Sequence, residues 1–292
     1  MNIWQQKKFI NHLSVQKRRR RLIIIFVLLI LLAAGSFYLL HRASQLTVQA
    51  SSVNLCASPS PRSRIIRRIV RGKRVTVLKR NQQTDWYYVQ SASSKGWVAA
   101  WLLKDQSYDA ARSSRLAEST IVLDPGHGGT DSGTLAPDGA MEKSYTLPTA
   151  LKTYRLLKTQ HARVLMTRHS DKSVSLAARP AMSNRVKATL FISFHFNSAG
   201  QRNLAYGYEV FKYHHNADQL AAILDQGFHN LSLYDRGISY GNFQVLRDNR
   251  RPAVLIEMGF MDSDFDFSYI KSPAYQQQVA TDIVTSLNRY IK

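Results

Sequence analysis

A short apolar run that ends in a glycine-rich turn is the feature that most constrains this chain. The β-branched and aliphatic residues 121–123 are followed at 124–129 by the sequence DPGHGG, which places His127 between glycines. The pattern predicts a buried strand that delivers His127 to a loop, because glycine allows backbone conformations that a Cβ forbids. Sheets in α/β proteins bind ligands at such strand ends. A surface turn whose histidine has no role is the alternative.

Beyond residue 118, apolar strand patterns alternate with helical patterns. The predicted strands cover residues 120–124, 163–168, 189–195, 207–212, 243–246 and 253–258, and the predicted helices about 144–160, 174–187, 216–230 and 273–291. This alternation predicts an α/β domain with a twisted, mainly parallel sheet and helices on both faces. The strands around Phe191 and Val254 are apolar on both faces, so we expect them to be central.

Three of these strands end in a residue that can bind a metal or move a proton. His127 follows the first strand, His195 ends the third, and Glu257 lies near the end of the last. The ends of parallel strands gather at one edge of a sheet. Burying a carboxylate in an apolar run is costly unless it is paired, hydrogen-bonded or near a metal. Of the three residues, Glu257 is therefore the one that most strongly indicates a function. For each histidine, a satisfied core or surface residue is the alternative.

The N-terminal part of the chain carries most of the positive charge and one long apolar run. The 292 residues suggest about two domains, one of them small. Residues 22–40 are nineteen positions without a charge, close to the ~20 that a transmembrane helix needs. Basic residues precede this run, so we expect a cytoplasmic tail at 1–21, an anchor at 22–40 in the cell membrane, and the rest of the chain outside the cell. A cleaved signal peptide followed by secretion is the alternative.

Residues 46–104 show short β-type runs separated by turn residues, which predicts a small all-β barrel. This segment holds 11 Lys and Arg against one Asp, whereas residues 119–292 are nearly balanced with 19 against 15. Such a basic surface attracts anionic wall polymers, although a solvated spacer is equally compatible with it. Nucleic acid is excluded as a partner if the surface lies outside the cell. Residues 105–118 lack apolar periodicity and are predicted to be a linker.

Two resemblances cover most of the chain. Residues 46–104 resemble the bacterial Src-homology-3-like domain through VNLCASPS at 53–60, GKRVTV at 72–77, DWYYV at 85–89 and GWVAAWL at 96–102. Residues 119–292 resemble the zinc-dependent N-acetylmuramoyl-L-alanine amidases of the type 3 family. Six motifs occur in that family's order: LDPGHGG at 123–129, Glu142-Lys143, VLMTR at 164–168 with Asp171, Arg179 with Asn184, FISFHFN at 191–197, and PAVLIEMGF at 252–260.

The amidase resemblance implies a zinc enzyme that acts on peptidoglycan. His127, Glu142 and His195 match the family's zinc ligands, and Glu257 matches its catalytic glutamate. Two imidazoles and a carboxylate suit a catalytic Zn²⁺ with an open fourth position. Zinc lowers the pKa of bound water to roughly 7, and Glu257 could take its proton and pass it to the leaving amine. The implied reaction hydrolyses the amide between the lactyl group of N-acetylmuramic acid and L-alanine.

Substrate contacts are harder to assign from the sequence. The candidates are Asn197, Arg247 and Arg251, the two arginines as partners for a stem-peptide carboxylate. A solvated loop is the alternative for both arginines. Two other functions stay open at this point, a catalytically silent wall-binding scaffold and a zinc peptidase that cuts within the stem peptide.

Overall fold

The N-terminal region contains one described helix. The computed structural model describes residues 18–32, 35 and 44–292, and helix α1 covers residues 18–32. The large apolar side chains from Leu22 to Leu32 are exposed on it. Across the described part of the chain, no helix combines the length and apolarity needed to cross a membrane. Residues 1–17, 33, 34 and 36–43, which belong to the predicted tail and anchor or follow them, lie outside the described residues.

The basic segment folds into an all-β domain, as predicted. Its strands are β1 (Gln45–Thr47), β2 (Ser52–Cys56), β3 (Ile65–Val70), β4 (Arg74–Asn81), β5 (Trp86–Ser91) and β6 (Ser94–Ala99). They form one antiparallel sheet in the order β1-β4-β5-β6-β2-β3. Val53, Leu55, Trp86, Val89 and Val98 are buried and form a common core.

Residues 105–118, predicted as a linker, pack against this β domain. The Tyr108 ring is buried in its core, and Leu116 lies in a short 3₁₀ turn, Arg115–Glu118, that precedes the second domain. The buried carboxylate of Glu118 accepts a hydrogen bond of 2.7 Å from Asn54 Nδ2 and pairs with Arg115 at 2.8 Å. The segment is therefore an integral part of the junction between the two domains.

Direct contacts join the two domains. The indole Nε1 of Trp101 donates to the carbonyl oxygens of Ala117 at 3.0 Å and His161 at 3.2 Å. Asp105 lies 2.9 Å from His161 Nδ1, and the Arg62 guanidinium covers the Tyr290 ring at 4.0 Å.

The second domain is a sheet of six strands with helices on both faces. Its strands are β7 (Thr120–Pro125), β8 (Arg163–Met166), β9 (Leu190–Asn197), β10 (Tyr208–Lys212), β11 (Asp235–Tyr240) and β12 (Ala253–Phe260), in the order β11-β10-β12-β9-β7-β8. Its helices are α2 (Lys143–Thr159), α3 (Ala178–Arg185), α4 (Asp218–Gly227), α5 (Gln244–Arg247), α6 (Asp264–Ile270) and α7 (Pro273–Tyr290). The strands β9 and β12 are central, as their double-sided apolarity predicts.

The sheet is mixed: four of its five strand pairs are parallel, in line with the expected mainly parallel sheet, and one pair is antiparallel. Strands β8, β7, β9 and β12 run parallel to one another, whereas β10 pairs antiparallel with β12 and parallel with β11. Parallel neighbours need a long crossover, usually a helix. The connection between β9 and β10 holds no helix, so β10 and β11 run in the opposite direction.

The region before β12 also differs from the sequence prediction. Residues 243–246 were expected as a strand, but Gln244–Arg247 is the short helix α5 and the edge strand is Asp235–Tyr240. Val245 and Leu246 are buried against the sheet with Met182 of α3. A four-residue apolar run satisfies a helix turn as well as a strand, and the strand itself alternates half-buried and exposed residues with little apolar signal. On the opposite face, α2, α4 and α7 cover a larger core that includes Leu157, Leu224 and Ile283.

Candidate metal centre

Three side chains that are distant in sequence meet at the carboxyl ends of β7 and β9. His127 Nε2 lies 2.9 Å from Glu142 Oε2, and His195 Nδ1 lies 3.0 Å from Glu142 Oε1. One donor atom from each of the three residues lies within 4.8 Å of the others. The two imidazole rings meet edge to face with their centroids 4.8 Å apart. The structure thus brings together all three zinc ligands that the family resemblance implies.

The turn after β7 explains how His127 and His195 approach so closely. A Cβ on Gly126 would collide with the His195 ring, so only glycine fits there. His127 itself has a left-handed backbone with φ 59°, which is uncommon outside glycine and indicates a position held by its surroundings. A buried arginine, Arg179, donates from Nη2 to the His127 carbonyl at 3.0 Å and from Nη1 to Asp124 Oδ1 at 2.8 Å.

A second buried arginine fixes the same turn from the other side. Arg168 Nη2 donates to the Gly126 carbonyl at 2.7 Å and to Thr146 Oγ1 at 2.9 Å, and its Nε donates to the Pro125 carbonyl at 3.0 Å. Two backbone carbonyl oxygens and one hydroxyl accept these bonds, and none of the three acceptors is a carboxylate. The two arginines make the loop rigid, and this is the structural use of the VLMTR and Arg179 motifs.

Glu142 immediately precedes helix α2 and is almost fully buried. Its Oε2 accepts from the Thr134 N–H and its Oε1 from the Phe196 N–H, each at 3.0 Å. Burial opposes ionisation of this carboxyl, but the hydrogen bonds with His127 and His195 outweigh it and hold its pKa well below the ordinary value. The carboxylate is therefore ionised and fixed in place.

Asp131 is a functional residue that the sequence analysis missed. Its carboxylate oxygens both lie 3.0 Å from His127 Nδ1, on the side of the ring opposite Glu142. Carboxylates in this position fix the tautomer and orientation of metal-binding histidines. The signal available in the sequence was only an acidic residue four positions after His127, within a loop rich in polar residues.

Glu257 lies beside the three ligands within the central strand β12. Its strand position is paired with His195 of β9 on one side and with Glu209 of β10 on the other. Among the described residues, its Oε2 has no hydrogen-bond partner. Burial raises the pKa of Glu257 well above the ordinary value, and the charges of Glu142 and Glu209 raise it further. A carboxyl with a free oxygen and a high proton affinity is available for proton transfer.

A cleft of about 160 Å³ opens onto His127 and His195. The exposed side chains of Leu176 and Phe243 form apolar walls that the sequence analysis did not single out. Asn197 lies two residues beyond His195 at the end of β9, and its Oδ1 accepts from the Ser198 N–H at 2.8 Å.

The two arginines proposed as substrate contacts do not line this cleft. Arg251 precedes β12 and therefore lies at the amino ends of the parallel strands, opposite to the candidate metal centre. Its Nε donates to the Ala188 carbonyl at 2.5 Å. It lies in the crevice between the two domains together with Arg62. Arg247 is at the far end of α5, where it contacts Asp248 at 3.2 Å. Although both arginines are close to β12 in sequence, neither lies in the cleft beside the candidate metal centre.

Comparisons with known proteins agree with this geometry. The sequence profile of the N-acetylmuramoyl-L-alanine amidase family matches residues 121–289, and that of the bacterial SH3 domain matches residues 51–104. A curated relative, the probable cell wall amidase LytH of Staphylococcus epidermidis, is 36% identical over 256 residues, which cover 84% of each chain. The Staphylococcus aureus protein of the same name is 37% identical over 212 residues, or 70% of this chain and 71% of that one.

Solved structures resemble the second domain. The amidase AmiC2 of Nostoc punctiforme superimposes with a TM-score of 0.57 and 33% identity over 59% of this chain and 96% of that chain. The catalytic domain of CwlV from Bacillus (Paenibacillus) polymyxa var. colistinus has a TM-score of 0.57 and 32% identity over 59% and 97%. The chain therefore belongs to the N-acetylmuramoyl-L-alanine amidase family and carries a bacterial SH3 domain ahead of its amidase domain.

Proposed function

We propose that this protein hydrolyses the amide bond between N-acetylmuramic acid and L-alanine in peptidoglycan, with Zn²⁺ as cofactor. The observation that carries the proposal is the convergence of His127, Glu142 and His195 beside Glu257. The names of the relatives, which are cell wall amidases and N-acetylmuramoyl-L-alanine amidases, support the same reaction.

The donor set fits zinc. Two imidazoles and one carboxylate are a ligand set of catalytic zinc, and the three donor atoms lie close enough to share one ion. When bound, zinc polarises a carbonyl oxygen and lowers the pKa of water to roughly 7. Asp131 would keep His127 in the tautomer that presents Nε2, and Glu142 is already ionised.

Glu257 is the residue placed to move protons. Its unpartnered Oε2 accepts a proton from the attacking water and delivers it to the nitrogen of L-alanine as the amide breaks. The cleft walls at Leu176 and Phe243 exclude water beside the reacting carbonyl and contact apolar parts of the substrate. Burial of Glu257 helps in this role, because it raises the proton affinity of the carboxyl toward that of the water and the nitrogen with which it exchanges the proton.

We extend the proposal to the other two parts of the chain. The SH3 domain presents exposed arginines on β3 and β4, including Arg67, Arg68 and Arg74, with little acidic charge to balance them. This surface suits anionic wall polymers. Residues 22–40 would anchor the chain in the cell membrane with the amidase domain outside, a proposal supported by the uncharged run and the basic residues before it.

The central test is the product of the reaction. Purified full-length protein is incubated with peptidoglycan, with and without a zinc chelator, and new N-terminal groups are identified. We expect N-terminal L-alanine and peptide-free glycan, both lost with the chelator and restored by Zn²⁺. Cleavage products that retain L-alanine on the glycan would instead identify a zinc peptidase. Absence of any release would favour a silent wall-binding scaffold.

The accessory proposals need separate measurements. Membrane fractionation of cells, followed by protease treatment of intact protoplasts, tests the anchor: a membrane-bound chain whose amidase domain is digested from outside supports it, and a freely released chain contradicts it. Binding to purified walls before and after removal of their anionic polymers tests the SH3 surface. Equal binding to both preparations would contradict a polyanion site.

A further inference from the structure

A second group of metal-binding side chains lies at the far edge of the amidase domain. Asp225 near the end of α4, His229 in the following loop and Asp235 at the start of β11 place one donor atom each within 4.8 Å of one another. His229 Nε2 lies 3.2 Å from Asp235 Oδ2. We propose that Asp225, His229 and Asp235 bind a second zinc ion, which joins the end of α4 to the edge strand β11.

This group is separate from the candidate metal centre. Strand β11 lies three strands from β9, which at the usual spacing of about 4.8 Å is roughly 14 Å. None of the three residues belongs to the motifs that identify the amidase family. An ion here would therefore be independent of the ion at His127 and His195.

Unpartnered polar atoms at the group point to a missing ligand. Within the described residues, the hydroxyl of Tyr208 and the Oδ1 atom of Asp225 have no hydrogen-bond partner. Tyr208 is only 1% exposed, so water from bulk solvent does not satisfy its hydroxyl. Tyr208 is the register partner of Asp235 in the parallel pair of β10 and β11, so the two side chains project from the same face of the sheet.

The electrostatics of the group also favour a cation. One carboxylate oxygen of Asp225 and one of Asp235 lie within 4.8 Å of each other. Two adjacent carboxylates repel unless a proton or a cation lies between them. The last carbonyl groups of α4 add the negative end of the helix dipole. The imidazole in the set selects a borderline metal such as zinc over calcium or magnesium.

The ion would order one wall of a second surface cleft. The loop between α4 and β11 contributes Leu233 and Tyr234 to an apolar cleft of about 540 Å³, opposite Tyr206 and Phe265. His229 and Asp235 flank that loop. Fixing its two ends would hold the Tyr234 ring against Tyr206, whose centroid is 5.6 Å away.

Zinc stoichiometry tests the proposal. Full-length protein without a histidine tag is stripped of metal, dialysed against buffered micromolar Zn²⁺, and analysed by mass spectrometry for bound zinc. We expect two ions in the unmodified chain, one in His195→Ala, one in the double variant Asp225→Asn/Asp235→Asn, and none when all three changes are combined. The matched control Asp218→Asn removes an exposed carboxylate from the same helix and should leave two ions.

These variants distinguish the second zinc site from the proposed zinc site at His127, Glu142 and His195. If His195→Ala binds as much zinc as the unmodified chain and the double variant loses an ion, the second site stands and the amidase zinc fails. If the double variant binds as much zinc as the unmodified chain, the second site is overturned. The exposed position of His229 makes His229→Gln a milder variant, and it should weaken binding at the second site without unfolding.

Thermal unfolding supplies a second readout. Zinc should raise the Tm of His195→Ala, because an ion that binds only the folded state stabilises it. The same addition should leave the Tm of the combined variant unchanged. An equal rise in both proteins would overturn the second site.

Discussion

The carboxylate of Asp131 lies 3.0 Å from His127 Nδ1, while Glu142 lies 2.9 Å from Nε2 of the same ring. One imidazole is thus held between two carboxylates, of which the buried one is a proposed zinc ligand and the more exposed one orients the ring. Asp131 also accepts the Gly133 N–H at 3.0 Å, so its own position is set by the loop.

Replacing Asp131 should weaken zinc binding without removing a ligand. Loss of such a partner typically lowers metal affinity about 10–100-fold, so we expect Asp131→Asn to fall in this range when zinc is titrated against a competing chelator. Asp138→Asn is the matched control, since Asp138 lies in the same loop and its Oδ1 accepts from the nearby Ala140 N–H at 3.0 Å. Equal zinc affinity in the two variants would contradict an orienting role.

Replacing Glu257 should separate catalysis from metal binding. Glu257→Gln keeps the shape of the side chain but removes the proton acceptor, so kcat/KM should fall by about 10²–10⁴-fold. Zinc bound at the His127 centre should be unchanged, which elemental analysis measures. A variant that keeps activity within a few-fold of the unmodified chain would show that another group moves the proton.

Replacing Arg179 should destabilise the amidase domain. Both Arg179 and Asp124 are buried, and removal of one partner leaves the other charge uncompensated, at a cost of about 3–5 kcal/mol. Denaturant unfolding followed by far-UV circular dichroism should show Arg179→Ala unfolding at a lower midpoint. Arg185→Ala, at an exposed position on the same helix, is the control, and a shared midpoint would contradict this account.

The only cysteine should be unreactive in the folded chain. Cys56 is fully buried, and burial together with the charge of Glu118 raises the pKa of its thiol to about 12. Because the thiolate is the reactive form, a disulfide reagent at neutral pH should modify no thiol in the native protein and one after unfolding. Rapid modification of the native protein would mean that the β domain opens readily.

Much of the fold was predictable because local sequence patterns report burial. The apolar strands β7, β9 and β12 and the long helices α2 and α7 were expected from periodicity, and the central positions of β9 and β12 followed from their two apolar faces. The parallel run of β8, β7, β9 and β12 was expected as well, but the opposite direction of β10 and β11 was not. The reversal at β10 depends on a connection without a helix, and the short run at α5 carries no pattern that separates a helix turn from a strand.

The candidate site was also predictable only in part. By itself, the sequence determined which side chains are available for the chemistry. His127 and His195 at strand ends and Glu257 within an apolar strand are each recognisable from a single short segment. The tertiary structure alone decided which groups meet. The Asp131 carboxylate contacts His127, whereas Arg251 lies at the amino ends of the strands and contacts the Ala188 carbonyl. The contact of Asp131 depends on how its loop folds, and the surroundings of Arg251 depend on the β domain that packs beside it; neither is encoded by residue type or local spacing.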